Sequence, residues 1–338
     1  MLIVLSHEAR VRGTGPDWRP PDQPSFAEAS QRWTCVSLLV RALVFSSAVA
    51  GIVLVAGMAA ALIMLCMGYV QSVGFLFLSY RVIIGNLSNL TLVGPIIMAY
   101  AMLVRVVEKR KHPFELSWRR AGGLAKGATL GVVAFSAVIG VLALVGAYRV
   151  VGTNYAYRPW WDLLMLGVAA PVVEEIVFRG VLLRLLEGFL GSMLAVVISA
   201  LVFGGAHFLN PNATLLGASG VAIVAGVPYG AVYLQTRSLW WTVGLHAAWN
   251  FAEGPLWGTS VSGSARADGW LRSSLTGSEW LTGGVFGPEA SVVSIVLLGA
   301  LACVLLVSVS RRGAVVSSPW ARGRASNGSQ GPHAVQSG

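Results

Sequence analysis

Residues 42–70 carry no charged side chain. A helix needs about 20 mostly apolar residues to cross the hydrocarbon core of a bilayer. Lipid offers no partner to a backbone N–H or C=O, so such a stretch must satisfy its own hydrogen bonds. This constrains the fold more than any other feature. The composition agrees: the chain is 55% hydrophobic and 11% charged, with a mean hydropathy of +0.71, whereas soluble domains carry about a quarter charged residues. The chain reads as an all-α polytopic membrane protein. Its net charge of +10 does not point to nucleic acid. The basic residues cluster between apolar segments instead of forming a stripe with interleaved aromatics.

The hydrophobic pattern predicts about eight transmembrane helices. They fall within 42–70, at 82–104 and 127–148, near 160–183, 188–208, 215–235 and 239–256, and at 290–310. This divides the chain into six parts. Residues 1–40 form a Pro-rich tail, disordered or interfacial, and residues 41–150 hold three helices. Residues 151–256 form a polar-bearing membrane core, and 257–289 an extracytoplasmic loop with Trp270 and Trp280 as interfacial anchors. Residues 290–311 hold the last helix and 312–338 a second disordered tail. With eight spans, Arg105, Lys109, Arg110, Arg119, Arg184, Arg237, Arg311 and Arg312 share one side. The positive-inside rule makes that side cytoplasmic, with both termini there, in a multi-pass plasma-membrane protein. Cys35, Cys66 and Cys303 lack metal-ligand spacing and read as small buried hydrophobes.

Against this background the stretch PVVEEIVFRG, residues 171–180, is costly. A mid-membrane charge costs roughly 2.5–3.5 kcal/mol on insertion scales. Such residues face protein or water and mark a functional site by default. Glu175 and Arg179 stand four residues apart, so they share a helix face and can pair. Glu174 lies about 100° round the helix and is left free, as a general base for catalysis near neutrality would be. Two of the five histidines fall in predicted spans. His207 ends FGGAH and His246 begins HAAWN, which puts Asn250 on the face of His246. A base, polarising groups and metal-capable donors thus come from three helices. Intramembrane Glu and His also occur on proton paths, so a proton-coupled transporter is the alternative; a non-catalytic immunity or binding protein on the same scaffold is another.

EEIVFRG, FGGAH and HAAWN fit the patterns EExxxR, FxxxH and HxxxN. In this order on three apolar segments they resemble the CAAX protease and bacteriocin-processing family of intramembrane proteases, which includes the type II CAAX prenyl endopeptidases. The resemblance covers about residues 160–255. It implies an endopeptidase acting on a membrane-associated peptide or protein within the lipid bilayer. By position, Glu174 would activate water and His207 would help hold it. His246 and Asn250 would stabilise the oxyanion, and Glu175 and Arg179 would orient the site. Cofactor use stays open between none and zinc held by Glu174, His207 and His246, since two His and one carboxylate are an acceptable catalytic zinc set.

Overall fold

The computed structural model describes residues 39–47, 92–264 and 268–318. The first expected span and the start of the second lie outside these residues, except for a short helix at 39–47, here α1. Helix α2 (Leu92–Val107) ends in a π turn at Leu103–Val107. Two 3-10 turns, Phe114–Leu116 and Trp118–Arg120, lead into α3 (Gly122–Leu144). Strand β1 (Tyr148–Thr153) follows. A helical run, α4, then opens at Trp160–Leu164 and closes at Arg184–Leu190, with π turns at Met165–Ala169 and Ile176–Leu183. Gly191, in a left-handed conformation (φ +83°), breaks it. Helix α5 (Ser192–Ala206) ends in a 3-10 turn, His207–Leu209. The Thr214 hydroxyl accepts from Gly217 N–H (2.9 Å) and caps α6 (Leu215–Thr236), which loosens into a π turn at Ala222–Gly226. Helix α7 (Leu239–Phe251) runs into a π turn at Ala252–Leu256. Strand β2 (Leu271–Leu275) precedes the last helix, α8 (Val292–Arg311).

Among the described residues four helices are long and apolar enough to cross a membrane: Trp118–Leu144, Ser192–Leu209, Leu215–Thr236 and Val292–Arg311. They correspond to four of the eight expected spans. The expected spans near 160–183 and 239–256 are helical but too polar. Helix α4 carries Asp162, Glu174, Glu175, Arg179, Arg184 and Glu187, and α7 with its π turn carries His246, Asn250 and Glu253. These side chains turn inward: all but Glu174 are buried. The all-α expectation also needs a correction. β1 and β2 pair antiparallel, Tyr148 opposite Leu275 and Thr153 opposite Leu271, so the expected loop 257–289 contains a strand. Cys303, expected inside, is exposed on α8.

Close backbone contact fixes α7 in the bundle. Gly127 and Gly131 of α3 face the α7 backbone: a Cβ at Gly127 would strike Trp241 O, and one at Gly131 would strike Leu245 O and Trp249 N. Gly244 answers from α7 against Leu124 O. Small residues at four-residue spacing let membrane helices approach this closely, and van der Waals packing then holds them.

One end of the bundle is tied by buried ion pairs. Glu108 accepts from Arg110 (2.8 Å) and Arg184 (2.6 Å), and Arg110 also reaches Glu115 (3.0 Å). Burial pushes the Glu108 carboxyl up, but the charges of Arg184 and Arg110 outweigh this and hold it below its ordinary value. Arg237 binds Glu187 (2.7 Å), and Arg120 donates to Arg237 O (2.7 Å). Arg184 and Arg237, expected as basic residues at the cytoplasmic ends of spans, are buried structural groups. Their partners lie 76 and 50 residues away in sequence.

Candidate active site

The site forms where α4, α5, α6 and α7 meet. Its centre is Glu175, fully buried on α4. One carboxylate oxygen, Oε1, accepts from Arg179 one turn on (2.8 Å) and from His246 Nδ1 on α7 (2.9 Å). The i, i+4 spacing of Glu175 and Arg179 accounts for the first bond. The glycine seam between α3 and α7 sets up the second by fixing the depth of α7.

Arg179 is buried and held on several sides. Its second terminal nitrogen donates to Ala225 O (3.2 Å) and Gly226 O (3.3 Å), at the α6 π turn two residues before Pro228. Its guanidinium lies over the Phe203 ring (4.5 Å) and the Tyr229 ring (5.2 Å). Such stacking suits arginine's planar, weakly hydrated cation. The phenylalanine of the FxxxH pattern therefore has a physical task. It covers Arg179, packs edge-on against Phe178 (4.9 Å), and touches both histidine rings, His207 at 4.8 Å and His246 at 6.1 Å.

With Nδ1 engaged by Glu175, His246 turns Nε2 toward Glu174, 3.9 Å from Oε2. That is too long for a direct hydrogen bond. A single oxygen off the line between them can still lie about 2.8 Å from each. The Glu174 side chain is 25% exposed, in contrast to Glu175. His207 closes α5, and its Nδ1 bonds the Phe203 carbonyl (2.8 Å), which sets the ring. Of the adjacent glycines, Gly204 packs on Ala218 O of α6, while nothing lies within 4 Å of the Cβ position of Gly205. One glycine thus closes the helix contact and the other leaves the backbone open beside His207.

Glu174, Glu175, Arg179 and His246 are directly assembled, and His207 joins them through Phe203. Asn250 does not bond His246. Its amide reaches Leu166 O at the first α4 π turn, at 3.4 Å, which uses one of its two N–H groups. Among the described residues no group of three or more His, Cys, Asp or Glu side chains is gathered as a metal-binding set.

Two carboxylates beside the site were not anticipated. Glu253 follows His246 and Asn250 on the same α7 face, at i+7 and i+3. It is fully buried, and neither oxygen closes a hydrogen bond. Glu289, just before α8, is 2% exposed and lies within electrostatic reach of His207, His246 and Glu174. Burial raises its carboxyl above the ordinary value. The spacing H-xxx-N-xx-E, residues 246–253, was a legible signal for Glu253. Nothing in the local sequence marks Glu289.

Residues 156–252 match a family model described as type II CAAX prenyl endopeptidase Rce1-like. The matched segment contains all seven motif residues, from Glu174 to Asn250, and ends before Glu253 and Glu289. No curated protein and no solved structure matches the chain.

Proposed function

We propose, on the match of residues 156–252 to the type II CAAX prenyl endopeptidase Rce1-like family model, that the protein is an intramembrane endopeptidase whose general base is Glu174. Its substrate is a membrane-associated peptide or protein. The observation that carries this reading is the division of the carboxylate pair. Glu175 is consumed by Arg179 and His246, while Glu174, partly exposed, faces His246 Nε2 across 3.9 Å.

The roles follow from that division. Glu174 takes a proton from water as the oxygen attacks the scissile carbonyl, and returns it to the leaving amine. His207, with Nδ1 on Phe203 O, presents Nε2 to the water. His246, with Nδ1 engaged by Glu175, directs Nε2 at the oxyanion position. Asn250 adds its remaining amide N–H. Preorganised donors of this kind supply large stabilisation in a water-poor site. Helical carbonyls are tied up in their own hydrogen bonds, so the cut segment must enter extended, beside the open backbone at Gly205. Both termini lie on the cytoplasmic side with the buried Arg–Glu cluster, and the protein resides in the plasma membrane.

The test uses the full chain in proteoliposomes. Two internally quenched peptides serve as probes, one with a farnesylated CAAX tail and one without prenyl. Cleavage by wild type and its loss in Glu174→Ala and His207→Ala support the proposal. Equal cleavage by all three sinks it. A proton flux that disappears in the same variants, without cleavage, supports transport instead. Binding of the probe without turnover in wild type supports a non-catalytic binding protein.

A further inference from the structure

His207 stands at a weak point of the fold. It begins the 3-10 turn that ends α5, and helix ends fray unless their orphan groups are tied. The bond from its Nδ1 to Phe203 O fixes the ring only relative to its own helix. What fixes the helix end is the chain beyond it. Asn210 N–H donates to His207 O (3.1 Å), closing the turn. The Asn210 side chain then donates to Ser262 O (2.6 Å), in the segment after α7. Asn212 doubles the tie: its backbone N–H reaches Gly263 O (3.0 Å) and its side chain Ser264 O (3.1 Å).

Ser262 is itself held in an uncommon shape. Its φ is +47°, a left-handed conformation that a residue with a Cβ adopts only when its surroundings impose it. Its hydroxyl donates to Glu289 Oε2 (2.6 Å). Next to it, Gly263 N–H reaches Phe286 O (2.8 Å), and the Phe286 ring is buried in one cluster with Phe203 and Tyr229. The segment after α7 is therefore clamped to the core on one side and to the His207 turn on the other. Ser262 is the residue at which the two clamps meet.

Resting on the protease reading above, we propose that Ser262 and Glu289, both outside the family-matched segment, are positioning residues for His207. The chain Glu289–Ser262–Asn210 holds the end of α5 and so sets where the His207 imidazole stands. The role is a hydrogen-bonding one: it needs an acceptor at position 289 and a hydroxyl at 262.

The test compares Ser262→Ala, Glu289→Ala, Glu289→Gln and the Ser262→Ala/Glu289→Ala double variant with wild type, as full chains in proteoliposomes. The readouts are kcat and KM on the two quenched peptides. A displaced catalytic group lowers turnover by roughly 10–100-fold. The expected result is that loss in kcat for both alanine variants, with KM within about twofold, since the substrate's own contacts are untouched. The double variant loses no more than either single, because both act through one chain. Glu289→Gln keeps a carbonyl acceptor for Ser262 and recovers most of the turnover. A Glu289→Gln variant as slow as Glu289→Ala overturns the proposal, because charge and not the hydrogen bond then matters. So does wild-type kcat in Ser262→Ala. A second readout is independent of turnover: NMR of the isotope-labelled imidazoles, five per chain. The His207 signal shifts in Ser262→Ala and stays in place in Glu289→Gln. If wild type cleaves neither peptide, the protease reading has failed on its own, and an unmoved His207 signal in Ser262→Ala would overturn the positioning role separately.

Discussion

Replacing Arg179 with Met strips Glu175, in the centre of the bundle, of its arginine while His246 still bonds it. In the wild type, Arg179 supplies a 2.8 Å bond to Glu175 and two longer ones to Ala225 O and Gly226 O, and is stacked by Phe203 and Tyr229. Breaking a buried ion pair from one side costs about 3–5 kcal/mol, because the partner charge is stranded. At about 2–4 °C per kcal/mol for a protein near this size, the melting temperature falls by roughly 6–20 °C. The decisive comparison is with the double variant Arg179→Met/Glu175→Gln. The amide introduced in place of the Glu175 carboxylate keeps a carbonyl oxygen for His246 Nδ1 and carries no charge. The double variant should recover about 2 kcal/mol or more of the Arg179→Met loss, a coupling expected only of directly interacting groups. The chain's 12 tryptophans make intrinsic fluorescence in detergent micelles a practical readout of melting. Strictly additive losses would refute the argument that Arg179 acts chiefly by neutralising Glu175.

Gly127→Ala places a methyl against Trp241 O and Leu245 N, and should cost about 1–3 kcal/mol as overpacking. Gly140→Ala on the same helix, with nothing within 4 Å, should be neutral or better in the same melting assay. Glu253→Gln replaces a buried carboxyl that closes no hydrogen bond with an amide of the same shape, and should leave melting unchanged or raise it. A chelator such as EDTA decides cofactor use: peptide cleavage kept within about twofold marks a metal-free reaction, and loss of activity restored by added zinc marks a metal-dependent one. The carboxyl of Glu108 is held below its ordinary value of 4.5. Its ion pairs therefore stabilise the fold at pH above that value, and the contribution fades as pH falls through the lowered one. Glu108→Gln should accordingly show a smaller acid-induced drop in melting temperature than wild type.

The local relations of the site were legible in the sequence. The Glu175–Arg179 spacing, the separation of Glu174 from that pair, and the placement of His207 and His246 on different helices all follow from 3.6-residue periodicity and hydropathy. Relations between distant segments were not. Nothing near Glu175 says that its second partner is His246, 71 residues on. Arg184 and Arg237 look like basic residues at span ends because their carboxylate partners are remote. β1 was missed because a six-residue strand needs its partner, and β2 lies more than 100 residues away across the polar core. The π turns at Met165–Ala169, Ile176–Leu183 and Ala222–Gly226 have no composition signal. Two of them nevertheless lie where Arg179 and Asn250 find their carbonyl acceptors. Counting spans by hydropathy has a similar limit. Two of the three helices that carry the motif residues, α4 and α7, are the ones whose polar side chains make them look least like spans.

The central claim is that Glu174, and not Glu175, is the base. The most direct measurement is kcat of Glu174→Gln on the quenched peptides, with melting recorded on the same preparation. A general base is worth about 10²–10⁴ in rate, so turnover should fall by at least about a hundredfold, with melting within a few degrees of wild type. Turnover close to wild type in a well-folded Glu174→Gln would contradict the account.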